Sequence, residues 1–359
     1  MPQINFTDSD WDRIERDYNA WWAGQLDRPL VVLSGVTADG RPRRRNGFYG
    51  FLSSYPPDVA PEKIVRDFVN YESQRVYKGD SYPLWFINFG PGILAGPLGS
   101  VVNATEETVW FDPPAGASLS HLKITMDHDN YWWQRILAVT RAAVDAVGDR
   151  VQISYTDLGG NLDILAGLIG TQSLLFELID RPDLVDRAVA DITRLWIEAL
   201  DELTPILLAK CRGTNSWHSI WAPGTMYMLQ CDFSYMISPD MFKRFVMPDL
   251  TACCRHIEYP FYHLDGIGEI PHLDYLLSID NLRGIQWIQG DGKPPAEAWI
   301  DLYRRIRAAG KLVQVNVSAA GALEICRKMG SGKGFTFAVG DSMTPAQADS
   351  FLKEISALR

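Results

Sequence analysis

A single α/β domain closed into an eight-stranded parallel barrel is predicted by three features of the sequence. Eight short apolar runs recur along the 359 residues. Helical patterns lie between most of them, and polar residues suited to chemistry stand where the runs end. No internal repeat or low-complexity linker divides the chain, so one domain over 1–359 is expected.

The elements follow in order. Residues 1–29 form a helical extension, with Trp11, Ile14, Tyr18 and Trp21/Trp22 on one stripe of a helix spanning 7–24. The strand candidates are 30–33, 84–89, 151–155, 217–221, 261–264, 284–288, 311–315 and 334–339. Pro61 and Pro345 stand where a first-turn proline belongs, the latter after Thr344 as N-cap. Leu184, Ala188, Ile192, Leu195, Ala199 and Leu203 mark a long helix over 183–208. Another helix starts at Pro239, turns Phe242, Phe245 and Val246 inward, and is expected to kink at Pro248. Two insertions stand out. Residues 38–60 carry Arg41, Arg43, Arg44 and Arg45, either a solvated loop or a site for an anionic group. Residues 90–120, rich in Gly and Pro, are placed to cover the barrel mouth as a lid.

Composition narrows the function. Acidic residues outnumber basic ones by 44 to 34, for a net charge of −10, which argues against nucleic-acid or anionic-membrane partners. There is no signal-peptide core and no apolar run near the ~18 residues of a membrane span. A cytoplasmic enzyme is therefore expected. The five cysteines have no CxxC or framework spacing and read as reduced thiols, about half of them core. Of the twelve tryptophans, Trp11, Trp21, Trp22, Trp132 and Trp133 read as packing. Trp85, Trp217, Trp221 and Trp287 lie in or just after strand-like runs, where either a pocket or the core takes them.

The segment Phe261-Tyr262-His263-Leu264-Asp265-Gly266 carries the most information. Side chains alternate along a strand, so His263 and Asp265 share a face, and Gly266 lets the chain turn where the strand stops. Such a pair at a strand end is where an α/β barrel keeps its chemistry. Asn88, Asp157, His218, Gln286, Asn316 and Asp341 stand at the other predicted ends. His263, Asp265 and Asp341 together can hold a divalent metal or run proton transfer. Each also has an ordinary reading: Asp341 as a helix cap, His263 as a core histidine, Asp265 as a turn residue. The run Gly330-Ser331-Gly332-Lys333-Gly334 leads from helix to strand and reads as a turn, not a phosphate loop.

Several stretches together resemble the uroporphyrinogen decarboxylase superfamily. They are Leu158-Gly159-Gly160-Asn161-Leu162-Asp163 with Leu168-Ile169-Gly170, Asp180-Arg181-Pro182-Asp183-Leu184-Val185, Asp232-Phe233-Ser234 through Ile237-Ser238-Pro239, and Phe242 to Pro248. His263-Leu264-Asp265-Gly266 and Gly340-Asp341-Ser342-Met343-Thr344-Pro345 complete the set from about residue 80 onward. The resemblance implies a TIM (β/α)8 barrel, and by analogy a homodimer. Its two main activities are cofactor-free porphyrinogen decarboxylation and corrinoid-dependent methyl transfer, the latter with zinc held by His-x-Cys and a distant Cys. The sequence departs from both. The stretch Phe89-Gly90-Pro91-Gly92-Ile93-Leu94, before Leu98-Gly99, lacks the decarboxylase carboxylate, and no arginine motif follows 30–33. Against the methyltransferases, Asp265 replaces the first cysteine and Asp341 stands where the distant one belongs. Hard oxygens for soft sulfurs keep ligand capacity while changing the metal preference.

The resulting expectation is a methyltransferase-like enzyme acting on a small methylated or methyl-accepting compound. His263, Asp265 and Asp341 form its catalytic and metal site, with zinc the expected ion and no bound organic cofactor. Substrate contacts are expected from Asp157, Trp217, His218, Trp221, Asp232, Gln286, Trp287 and Asn316. The aromatic residues would suit a quaternary amine. A separate corrinoid protein is the implied partner. The alternative is a metal-free decarboxylase or lyase on a small acid, with Asp265 and His263 as acid and base and Arg41 to Arg45 on carboxylates. A sugar-binding or glycoside-acting barrel is the third reading.

Overall fold

The computed structural model describes residues 3–358; the first two residues of the expected extension lie outside them. The extension is the helix Asp8–Trp22, started by a Thr7–Asp10 capping box. Trp11, Ile14, Tyr18 and Trp21 form its buried stripe. Trp22 meets Tyr259 at 5.0 Å and Trp21 stacks on Phe261 at 6.2 Å. The helix therefore covers the sheet where that strand begins, away from His263 and Asp265.

The strands are β1 (Leu30–Leu33), β2 (Leu84–Trp85), β3 (Val101–Ala104), β4 (Val109–Asp112), β5 (Gln152–Ile153), β6 (Met226–Leu229), β7 (Tyr259–Asp265), β8 (Gly284–Ile288), β9 (Leu312–Val317) and β10 (Phe335–Val339). Six of them make one parallel sheet in the order β1-β10-β9-β8-β7-β6. β2 and β5 form a separate parallel pair, and β3 and β4 an antiparallel hairpin. Among the described residues twelve α-helices accompany them. None is long and apolar enough by itself to cross a membrane; one sharply bent pair, Asn161–Ile169 with Thr171–Asp180, reaches that measure jointly, and most of its apolar side chains pack into the core.

One expected strand is wrong. Residues 217–221 are not extended, because Thr214 and Ala222 exchange backbone hydrogen bonds of 2.9 and 3.0 Å that fold the segment into a closed loop. The strand beside β7 is β6 instead. The 84–89 candidate is cut to two residues. Asn88 turns the chain by donating its N–H to Phe86 O and accepting that of Gly90 on its side chain. The expected kink at Pro248 is a break at Val246 between helices Pro239–Phe245 and Met247–His256. Thr344 caps the last helix as predicted, and Gln347 completes a capping box there. All five cysteines are free and buried, not half of them.

The turn after β5 explains the paired glycines at 159 and 160. Gly159 sits at φ +89°, and a Cβ there would come within 2.6 Å of Gly92 Cα. A Cβ on Gly160 would meet Gln230 O at 2.3 Å. Backbone thus touches backbone from three segments, which side chains would prevent. Trp196 fixes the turn from below by donating to Gly159 O at 3.0 Å. Gly159→Ala is expected to cost at least about 1–3 kcal/mol for the left-handed backbone alone. Urea denaturation checks this, and a change within ~0.5 kcal/mol, ordinary for a surface substitution, would contradict the described turn.

Candidate functional site

The strand ends bring a polar group together on the inward face. Register aligns Thr336, Gln314, Gln286 and His263 across β10, β9, β8 and β7. Because alternate residues share a face, these four point the same way. Gln286 Nε2 donates to Gln314 Oε1 at 2.5 Å, and Gln314 Nε2 donates to Asn316 Oδ1 at 3.0 Å. That orientation leaves Gln286 Oε1 as the acceptor for His263 Nδ1. Nδ1 is therefore the donor to that amide, and Nε2 is the ring nitrogen turned toward Asp265. Asp265 Oδ2 lies 4.0 Å from that nitrogen.

Among the described residues, one group has metal-ligand geometry: Asp232, His263 and Asp265, with one donor atom of each within 4.8 Å of the others. Asp341 is not part of it. Its Oδ2 accepts the Ala319 N–H at 2.7 Å and so serves the first turn of the helix Ala319–Met329. The third donor comes instead from Asp232, at the 3-10 turn Asp232–Met236 just after β6. Sequence reasoning had Asp232 only as a substrate contact.

Carboxyl groups crowd behind this trio. Asp157 Oδ1 accepts from Gly159 N at 2.9 Å and Gln230 Nε2 at 3.1 Å, and burial pushes it up to about 7. Asp163 receives the backbone N–H groups of Asp232 and Phe233 at 3.1 and 2.7 Å. Burial, then the Asp232 charge, push it up to about 8 against those donors. Burial also raises Asp232, while the nearby His263 pulls it down. Asp232 opens onto the cavity on the concave side of the site. Glu269 is fully buried, accepts the Asp265 N–H at 3.1 Å and is raised well above the usual range by burial and by Asp232. Asp163, Glu269, Gln230 and Gln314 were missed as site residues.

The remaining expected contacts divide. Trp217 faces His263 edge-on at 6.0 Å, and burial with the neighbouring His263 pushes His218 down to about 3, so it is neutral at pH 7. Asn316 ends the amide chain. Trp221 does not reach the site: it is buried against the N-terminal helix, 6.4 Å from the Tyr18 ring. Trp287 is also misplaced. Its neighbour Gln286 points inward, so Trp287 points to the opposite face and packs on Trp299 at 5.0 Å.

The insertion at 90–120 is a hairpin rather than an open loop. Its Val109 packs on Gly90, where a Cβ would clash at 2.5 Å. Beneath it lies a cavity of about 410 Å³ lined by hairpin residues, Gln230, and the carboxyl groups of Asp163 and Asp232. Arg43 is tied to Glu72 and lies over Tyr71 at 4.1 Å; no residue of 41–45 lines that cavity. A larger hollow, about 790 Å³, lies between helices Pro182–Leu208 and Met247–His256 and holds none of the strand-end residues.

Comparison with known protein families and with curated proteins gives no match for this chain.

Proposed function

We propose that the chain is a metal-dependent enzyme, a divergent single-domain member of the uroporphyrinogen decarboxylase superfamily. It acts in methyl transfer on a small methylated or methyl-accepting compound. One observation carries this reading: Asp232, His263 and Asp265 converge within 4.8 Å while Gln286 holds the imidazole with Nε2 free. A ligating histidine characteristically donates its other N–H to an oxygen in this way. One nitrogen and two carboxylates suit zinc or a harder divalent ion.

A closed (β/α)8 barrel is part of the proposal. The six-stranded sheet and the β2–β5 pair make eight parallel strands. The Asp80 N–H donates to Val31 O at 2.8 Å on one side of the pair, and Tyr155 N–H to Asn215 O at 3.2 Å on the other. The separate corrinoid protein, the homodimer and a cytoplasmic location belong to the same reading.

Bound to this trio, a divalent ion supplies Lewis-acid polarisation of a substrate heteroatom. The chain's own residues do the rest. Gln286 fixes the His263 tautomer, and Asp157 gives or takes a proton near neutral pH.

The metal-free lyase has one observation in its favour, the Asp157 carboxyl poised near 7. Its carboxylate-binding arginines are not in the cavity. Elemental analysis of purified protein, before and after dialysis against zinc, manganese and iron, decides between the two. Near one equivalent is expected; no uptake of any of them sinks the metal centre and leaves the lyase.

A further inference from the structure

His263 is held by more than its immediate neighbour. Gln286 and Gln314 are both buried, on adjacent strands. Asn316, two residues further along β9 and on the same face, is exposed at the strand end. A primary amide carries an acceptor on one branch and donors on the other, and the branches are alike in shape. Packing alone therefore does not choose which branch Gln286 turns toward His263. Gln314 makes that choice. Its Oε1 accepts the Gln286 Nε2 hydrogen bond at 2.5 Å, and its own Nε2 donates to Asn316 Oδ1 at 3.0 Å. Donors thus run one way along the chain, from the ring through Gln286 and Gln314 to Asn316.

Turning over Gln286 alone would set its oxygen against Gln314 Oε1, two acceptors facing each other away from water. Turning over Gln314 as well only moves the conflict to Asn316. The direction of the chain has a chemical consequence. With Gln286 reversed, its amide N–H would donate to Nδ1. A neutral ring that accepts at Nδ1 carries its proton on Nε2, the nitrogen turned toward Asp265. A protonated nitrogen holds no metal.

We propose that Gln314 is a positioning residue for the metal centre. From two strands away it keeps Gln286 turned so that His263 offers Nε2 to the ion. The inference rests on the metal-dependent reading above and adds a residue one hydrogen bond removed from the histidine's partner.

The test compares Gln314→Glu with Gln314→Met in the full chain. Glu keeps an acceptor for Gln286 Nε2 in either protonation state, whereas Met fills similar space and offers none. If Gln314 only filled space, Met would be the milder change and a buried Glu the harsher one. A positioning role predicts the opposite order. Zinc affinity, read by competition with a chromophoric chelator, is expected to fall about tenfold or more in Gln314→Met and to stay within about threefold in Gln314→Glu. Nitrogen NMR of zinc-free protein labelled in its histidines, at about pH 8.5, reads the ring directly. The His263 signals are assigned by their loss in His263→Ala. Protonation at Nδ1 is expected in the parent and in Gln314→Glu, with a shift toward Nε2 in Gln314→Met. Protonation at Nε2 in the parent, or a Gln314→Met protein with the parent's tautomer, overturns the proposal. A parent that takes up no zinc removes the metal centre, and the tautomer still decides the role of Gln314. Zinc uptake that is equal in parent and Gln314→Met keeps the centre and removes this inference.

Discussion

Asp232→Ala is expected to lose metal binding by more than about 100-fold, while Asp341→Ala keeps it. Removing one of three protein ligands leaves a two-donor site, and even the outer partners of a metal ligand are worth about 10–100-fold in affinity. Asp341 has a different task. Its carboxylate holds the Ala319 N–H at 2.7 Å, so its loss is felt as about 1 kcal/mol of stability, like other helix-start contacts. Metal titration followed by competition with a chromophoric chelator separates the two variants. Equal loss in both would mean that the chain rearranges to bring Asp341 to the metal.

The second large effect is in stability against pH and concerns Asp249. This carboxyl is buried on the helix Met247–His256, where Oδ1 accepts from Thr193 at 3.0 Å and from Cys253 Sγ at 3.4 Å. Burial raises it from 3.8 to about 7. The folded state therefore holds this proton more tightly than the unfolded chain does. The associated stability is complete below the unfolded value and is lost as pH rises through about 7. At about 1.36 kcal/mol per pH unit, the whole span is worth on the order of 4 kcal/mol. Asn at this position keeps an acceptor for both donors and does not titrate. The stability of Asp249→Asn relative to the parent should thus climb by about 4 kcal/mol between pH 4 and pH 7.5. Urea denaturation across that range checks it. Parallel profiles would mean that Asp249 is ionised in the folded protein throughout.

The sequence made some of this legible for physical reasons. His263 and Asp265 were found because strand alternation and a following glycine are local signals, and β7 obeys them. The same rule, applied further, excludes Trp287: neighbours on a strand cannot both face inward, so Gln286 at the site sends Trp287 to the helix layer. The apolar run at 217–221 misled because apolarity alone does not distinguish a strand from a buried loop. The pairing that closes this loop, between Thr214 and Ala222, is invisible in composition. Asp341 was reached as the polar residue closing a predicted strand, and a position in order along the chain does not fix where a side chain turns. Two residues past the end of β10, its carboxylate turns aside to a helix start. Asp163 and Glu269 were missed because a carboxylate in a first helical turn is ordinary at the surface. Only the packing of Phe233 and Asp265 against them makes them part of the site.

The most direct test of the His–Asp–Asp centre is the zinc X-ray absorption spectrum of the loaded protein. One imidazole and oxygen donors at about 2.0–2.2 Å are expected, with no sulfur near 2.3 Å. A sulfur shell, or oxygen donors without imidazole, would contradict a centre built on His263.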